Sequence, residues 1–251
     1  EEAISSLLNS LKINPHSNNA LLNLSVLWIR DGNCDAFIDL IDVREGIPPY
    51  NDEVLYNYAY CLKACDDVLK AQKILNTIIV RNPSYRNAYV LLGDCWQTSD
   101  RDKAISLYEA SLKIKPSIDI YLKMYDLTKA ENLETEHDYY MSILEEKFSS
   151  MSEVKVRKSQ RMLEDGRFDE AKEILSSIPS DDTHAGTANN ILGQLAFSES
   201  DLESADFYFQ KTLTSQPENI EVYNNLAAIK NSLGSHKEAI RLLERSLEIN
   251  P

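Results

Sequence analysis

The chain has 251 residues, with 26 Lys or Arg against 40 Asp or Glu, so its formal net charge at pH 7 is −14. An acidic field of this size repels polyanions, and we therefore expect no nucleic-acid partner. Hydrophobic residues make up 43% of the chain, which is the composition of a globular protein. The sequence contains no stretch of eighteen apolar residues, so we predict no membrane span.

A proline recurs at a nearly constant interval along the chain. The positions are Pro15, Pro48, Pro83, Pro116, Pro217 and Pro251. They are separated by 33, 35, 33, 101 and 34 residues, and the interval of 101 corresponds to three periods. A period between about 20 and 50 residues is typical of solenoids and other repeat arrays. The spacing therefore predicts a row of similar units.

The units can be placed in chain order from these prolines. They are a lone second helix at 1–15, regular units at 18–48, 51–83 and 86–116, degenerate units at 117–150 and 151–179, and regular units at 186–217 and 220–251. We group them as N-terminal units (1–116), degenerate units (117–179) and C-terminal units (186–251). Together they are expected to form one continuous solenoid.

Each regular unit carries two helical patterns. In the first helix a large residue is followed by a large-small pair and another large residue, as in Leu55, Tyr58-Ala59 and Leu62. In the second helix an alanine lies twelve residues before the proline, and a large residue follows it four positions later. The alanines are Ala3, Ala36, Ala71, Ala104, Ala205 and Ala239. These spacings predict antiparallel helices that approach closely where a small residue faces the alanine.

The large-small pair, the alanine and the terminal proline recur in phase, and together they resemble the tetratricopeptide repeat (TPR) over nearly the whole chain. The resemblance implies an all-α, right-handed superhelical array of antiparallel helix pairs. It also implies that the first helices line a concave groove. In that groove the protein would bind an extended peptide or a helix of a partner, as a protein–protein interaction module.

Polar and aromatic side chains are expected to line this groove. The predicted groove residues are Asn23, Tyr56, Asn57, Tyr60, Lys63, Asp94, Gln97, Asn190, Gln194, Asn224 and Asn225. Asparagine offers donors and an acceptor to a peptide backbone, and tyrosine adds rigid apolar area with a polar tip. Leu91 and Ile191 interrupt the asparagine series. The series itself is explained equally well by peptide binding and by the suitability of asparagine for the surface of a first helix.

The sequence contains no recognisable catalytic or metal-binding constellation. Its cysteines are Cys34, Cys61, Cys65 and Cys95, and no second Cys or His pair stands near them to complete a zinc site. We predict that they are buried free thiols. We further predict that the protein is not an enzyme, has no catalytic residue, metal or cofactor, and, since no targeting signal is visible, is cytoplasmic.

Two other functions stay open beside the interaction module. The chain is alternatively the substrate-recruiting arm of a larger enzyme, such as a glycosyl- or sulfotransferase. It is also consistent with a self-assembling scaffold, a homo-oligomer joined through uncapped ends, because repeat arrays need polar caps to stay soluble.

A short basic run stands out in the acidic chain. Its cations are Lys155, Arg157, Lys158 and Arg161. One interpretation is a docking site for an acidic partner. The other is the solvated face of a helix slipped in register, whose cations pair with nearby carboxylates such as Glu145 and Glu153.

Overall fold

The computed structural model describes residues 2–43, 50–130 and 134–250, and within these ranges the only regular secondary structure is α-helix. The helices are α1 (Glu2–Ile13), α2 (Asn18–Arg30), α3 (Cys34–Asp42), α4 (Asp52–Ala64), α5 (Val68–Arg81), α6 (Arg86–Trp96), α7 (Arg101–Ile114), α8 (Ile118–Ala130), α9 (Glu134–Phe148), α10 (Ser152–Glu164), α11 (Phe168–Ser176), α12 (Ala185–Ser198), α13 (Leu202–Ser215), α14 (Ile220–Ser232) and α15 (His236–Ile249). After α1 they alternate as first and second helices of pairs, from α2/α3 to α14/α15. The predicted all-α array of helix pairs is confirmed.

The array divides into two compact units, residues 1–140 and 141–251, with the division inside α9. In the first unit, buried side chains such as Leu21 and Leu75 belong to a core that extends from α1 to α6. The second unit contains separate clusters around Leu192 and Phe209. In each unit a second helix also packs against the next first helix, as α5 does on α6 and α13 does on α14. The predicted three-part grouping and the single continuous solenoid stay predictions.

The small residue of the first-helix pattern is buried wherever it occurs. These residues are Ser25, Ala59, Gly93, Ser159, Gly193 and Ala227. A Cβ on Gly93 would lie 2.6 Å from the ring of Tyr108, and one on Gly193 would lie 2.8 Å from the ring of Phe209. The groups nearest to these glycines are therefore the aromatic rings of the second helix, and not the alanine that we predicted to face them.

The second helix of the first pair departs from the predicted register by one residue. Phe37 and Ile41 of α3 are buried, whereas Ala36 and Leu40 are only half-buried. Counting back twelve residues from Pro48 caused the error, because the buried residue of α3 lies eleven residues before that proline and not twelve. The lone second helix also departs from the pattern, since its alanine, Ala3, is exposed.

A residue with positive φ ends the first helix in five of the pairs. These residues are Gly32, Asp66, Gly166, Ser200 and Gly234, with φ between 63° and 78°. The backbone N–H that follows each of them donates to the carbonyl five residues earlier, as from Asp201 to Ala196 at 2.9 Å. This is the Schellman turn that closes a helix. The three glycines adopt this conformation at little steric cost, whereas Asp66 and Ser200 hold it without glycine's freedom.

Candidate functional site

The predicted groove residues of the first unit lie on the first helices α2, α4 and α6, except Gln97, which follows directly after α6. Ser17 and Asn51 accept hydrogen bonds from backbone N–H groups and fix where α2 and α4 begin. Asn23 and Asn57 each lie six residues after these capping residues. Their side chains therefore share one phase. Asn23 and Tyr60 are exposed, and Asn57 is half-buried. We call the side chains of α2, α4 and α6 on this face the first-helix surface.

The Asn57 amide links two neighbouring helix pairs. Its Nδ2 donates to Ser25 Oγ of α2 at 2.7 Å, and Ser25 Oγ donates to the carbonyl of Leu22 at 2.7 Å. One N–H and the amide oxygen of Asn57 are not used in these bonds. Asn57 therefore stabilises the packing of α4 on α2 and also presents polar groups on the surface.

Tyr56 of the first-helix surface packs against Tyr85, the residue that precedes α6. The rings of Tyr56 and Tyr85 lie 5.9 Å apart at 52°, a tilted arrangement typical of packed aromatic pairs. Burial, together with the charge of Asp94, raises the pKa of Tyr56. The Tyr56 hydroxyl is thus a neutral hydrogen-bonding group at physiological pH, beside the more exposed Tyr60.

Asp94 and Gln97 belong to a network inside the protein. Tyr108 donates its hydroxyl hydrogen to Asp94 Oδ1 at 2.7 Å, and Lys123 Nζ donates to the same oxygen at 2.8 Å. Gln97 Nε2 in turn donates to the Tyr108 hydroxyl at 2.7 Å. Burial and the bond to Asp94 raise the pKa of Tyr108. The network joins α6, α7 and α8, so Asp94 and Gln97 serve packing as well as the surface.

Sequence reasoning missed Lys123 as a partner of Asp94. The available signal was a pair of opposite charges on successive first helices, nearly one period apart. Lys63 is half-buried on α4, and its ammonium group lies close enough to Cys95 to affect the pKa of that thiol. Its charge opposes the burial that raises the pKa of the Cys95 thiol to about 11.

In the second unit the predicted groove residues lie on α12 and α14. Gln194 Nε2 donates to Glu221 Oε1 at 3.0 Å, which links the two first helices at the surface. Asn224 is exposed and Asn225 is half-buried. The side-chain oxygen of Asn190 is shielded from solvent and has no hydrogen-bond partner among the described residues. Among the predicted groove residues, Asn190 therefore has a shielded side-chain acceptor that lacks a hydrogen bond.

The asparagine series is interrupted within each unit. Leu91 is buried in the core of the first unit, and Ile191 is buried in a cluster of the second. Neither side chain offers a polar group to a ligand. The asparagine series is therefore not continuous along the first helices of either unit.

The basic run pairs with carboxylates and hydroxyls of its own unit. Arg157 Nη1 contacts Glu153 at 3.0 Å, and Lys158 Nζ contacts Glu145 at 3.0 Å. Ser159 is buried at the small-residue position of α10, so this helix keeps the pattern in register. The described contacts favour the interpretation in which the cations pair internally, but without the predicted slip.

Three of the four thiols are buried, as predicted, but Cys65 is exposed. It lies at the C-terminal end of α4, beyond the part of the helix that packs against its neighbours. Among the described residues, no group of three or more His, Cys, Asp or Glu side chains is arranged to hold a metal ion. None of the described helices is both long enough and apolar enough to span a bilayer.

Comparison with known families identifies one helix pair directly. Residues 220–251 match the tetratricopeptide repeat family. This segment contains α14 and α15, the last pair of the array. No curated protein sequence matches the chain.

Solved structures with the same arrangement of helices extend the likeness along the chain. A tetratricopeptide repeat protein from Parabacteroides merdae superimposes with a TM-score of 0.61 at 16% identity, over 90% of each chain. The type IV pilus biogenesis factor PilW gives a TM-score of 0.55 at 19% identity, over 79% of this chain and 93% of its own. A chain of the APC/C hetero-tetramer Cut9–Hcn1 gives a TM-score of 0.59 at 14% identity over 99% of this chain. The chain spans 49% of that structure's length.

Proposed function

We propose that this chain, an all-α array with the fold of tetratricopeptide-repeat proteins and a matching repeat at 220–251, binds an extended segment of a partner protein on its first helices. Proteins of this fold generally mediate protein–protein interaction. The observation that carries the proposal is the presence of exposed amides on first helices in both units, at Asn23 and Asn224.

In the first unit the ligand would lie along α2 and α4. Asn23 and the unused groups of Asn57 can pair with the N–H and C=O of an extended backbone. Tyr60, which is half-exposed beside them, can cover an apolar side chain of the ligand at little conformational cost. The site would therefore hold the backbone through amides and select side chains through tyrosine.

In the second unit the unpaired oxygen of Asn190 supports the same function. A buried acceptor without a partner costs about 1–3 kcal/mol, so turning the half-buried Asn190 amide toward a donor of a bound peptide would recover that cost. Asn224, exposed on the next first helix, supplies a second amide. The bond between Gln194 and Glu221 lies at the surface, where a ligand can replace it.

The test uses variants that remove surface amides without touching the packing. Asn23→Ala and Asn224→Ala are chosen because Asn57 also holds α4 to α2. Partners are captured on the immobilised chain and quantified by mass spectrometry. We expect a specific partner to be lost in at least one of these variants and kept in Lys73→Ala, an exposed second-helix control. Retention in both amide variants, with folding intact, would contradict the proposal.

A second candidate function, self-association, is favoured by one observation on α15. Leu243 is 45% exposed, although Leu75, Tyr108 and Phe209 at the equivalent position are fully buried. Leu247 follows one turn later on the same face and is also exposed. Light scattering over a range of concentrations tests it, since a monomer throughout would rule it out. The recruiting arm of a larger enzyme stays a prediction.

A further inference from the structure

The second unit contains a pocket formed by α11, α12 and α13, and none of the predicted groove residues Asn190, Gln194, Asn224 and Asn225 lines it. It has a volume of about 280 Å³, at the small end for ligand sites, which suits one large side chain better than a whole small molecule. Leu175, Ile178 and Leu192 supply its apolar wall. Phe207 and Lys211 of α13 also line it.

Phe207 breaks a rule that the other second helices keep. It lies two residues after the alanine of its helix, and the equivalent residues elsewhere are polar and exposed. These equivalents are Lys73, Ser106, Glu173 and Arg241. Phe207 is 53% exposed, so its ring is not needed to fill the core of the repeat. Comparison with the equivalent positions of the other repeats therefore shows that the fold does not require an aromatic residue here.

The charged side chain at the pocket, Lys211, is positive, although the chain as a whole is acidic. Lys211 Nζ lies 4.4 Å from the centre of the Phe207 ring, a cation–π arrangement that holds the ammonium group at the pocket. It makes no ion pair with a described carboxylate, and none of the residues that line the pocket is acidic. An acidic group on a ligand would therefore meet an available cation and no nearby repulsion from the wall.

We propose that this pocket is a second docking site, for a partner segment in which one large apolar side chain is followed directly by Asp or Glu. The apolar side chain would enter between Leu175 and Leu192 and cover the exposed ring of Phe207. The neighbouring carboxylate would pair with Lys211. The site is independent of the first-helix amides, so it stands or falls separately from the proposed function.

The test is an NMR titration of the full chain with two blocked dipeptides, N-acetyl-phenylalanyl-aspartyl amide and N-acetyl-phenylalanyl-lysyl amide. The aspartyl peptide is expected to shift the methyl signals of Leu175, Ile178 and Leu192, with a Kd on the order of 1 mM for so small a ligand. The lysyl peptide should bind about two- to fivefold more weakly, as for one exposed ion pair. Methyl signals of the first unit should not move.

Two variants and a control decide the origin of any shift. Lys211→Gln should bring the two peptides to equal affinity, and Phe207→Ser, which installs the residue type found at Ser106, should weaken both. Phe168→Ser changes another half-exposed phenylalanine outside the pocket and should leave both affinities unchanged. No shift at the pocket up to about 10 mM peptide, equal affinity for both peptides in the unmodified chain, or indifference to Phe207→Ser would each overturn the proposal.

Discussion

The ring of Phe209 occupies the space that a side chain on Gly193 would need, since a Cβ there would lie 2.8 Å from the ring carbons. Tyr108 and Gly93 repeat the relationship in the first unit. Glycine is otherwise unfavourable inside a helix, by about 1 kcal/mol relative to alanine. Its presence in α6 and α12 therefore follows from the aromatic residue of the second helix.

Substituting Gly193 tests this size match. We expect Gly193→Ala to lower the free energy of unfolding by about 1–3 kcal/mol through overpacking against Phe209. Phe209→Leu in the same chain should recover part of the loss, because the equivalent positions of the α4/α5 pair hold Ala59 and Leu75. Urea denaturation of the two single variants and the double variant measures the coupling. Strictly additive effects would show that the two residues do not interact.

The two strained turn residues provide a second prediction. Ser200 and Asp66 hold φ of 63° and 66°, which costs a residue with a Cβ about 1 kcal/mol. Ser200→Gly is expected to raise the free energy of unfolding by about 0.5–1 kcal/mol, and Asp66→Gly by less, because aspartate tolerates this region better. Ser99→Gly in the α6–α7 turn, where φ is not positive, is the control. A loss of stability in Ser200→Gly would contradict this account of the turn.

The register of the second helices provides a third prediction. Ala205 is fully buried, so Ala205→Leu is expected to cost about 1–3 kcal/mol of folding free energy. Ala36→Leu should cost clearly less, because Ala36 is only half-buried and Phe37 takes the buried position in α3. Thermal and urea unfolding compare the two. Equal losses would mean that Ala36, and not Phe37, occupies the helix contact.

A fourth prediction concerns alkaline pH. Burial raises the pKa of Tyr85 to about 12, and the charge of Glu53 adds to the shift. An unfolded tyrosine titrates near pH 10, so between about pH 10 and 12 the unfolded chain releases a proton that the folded chain keeps. The stabilising contribution is therefore complete below pH 10 and falls as the pH rises. Tyr85→Phe should show a shallower decline in urea midpoint over this range, and an unchanged slope would contradict the prediction.

The fold could be predicted further than the site. Large and small residues in phase predicted the helix pairs, because packing between helices imposes the same sizes on every unit. The register of α3 was misplaced because it depended on Pro48, and the spacing of prolines does not fix the spacing of packed residues. Lys123 was missed because its bond to Asp94 joins different pairs, and no single repeat records such a contact.

The exposed groups were the least predictable part. A pattern places Asn57 on a first helix, but it does not show that the amide already binds Ser25. The pocket beside Phe207 depends on the close approach of three helices, whose distances are not contained in a periodicity. Ligand-binding groups are thus distinguished from packing groups only when their neighbours are known.

The central claim is that a partner binds on the first helices, and site-specific photocrosslinking tests it most directly. A photoreactive amino acid is placed singly at Asn23, Tyr60 or Asn224, and at the exposed second-helix positions Lys73 and Ser106 as controls. Our account predicts that one partner crosslinks from the first-helix positions and not from the controls. Crosslinking from the controls alone, or equally from both sets, would contradict it.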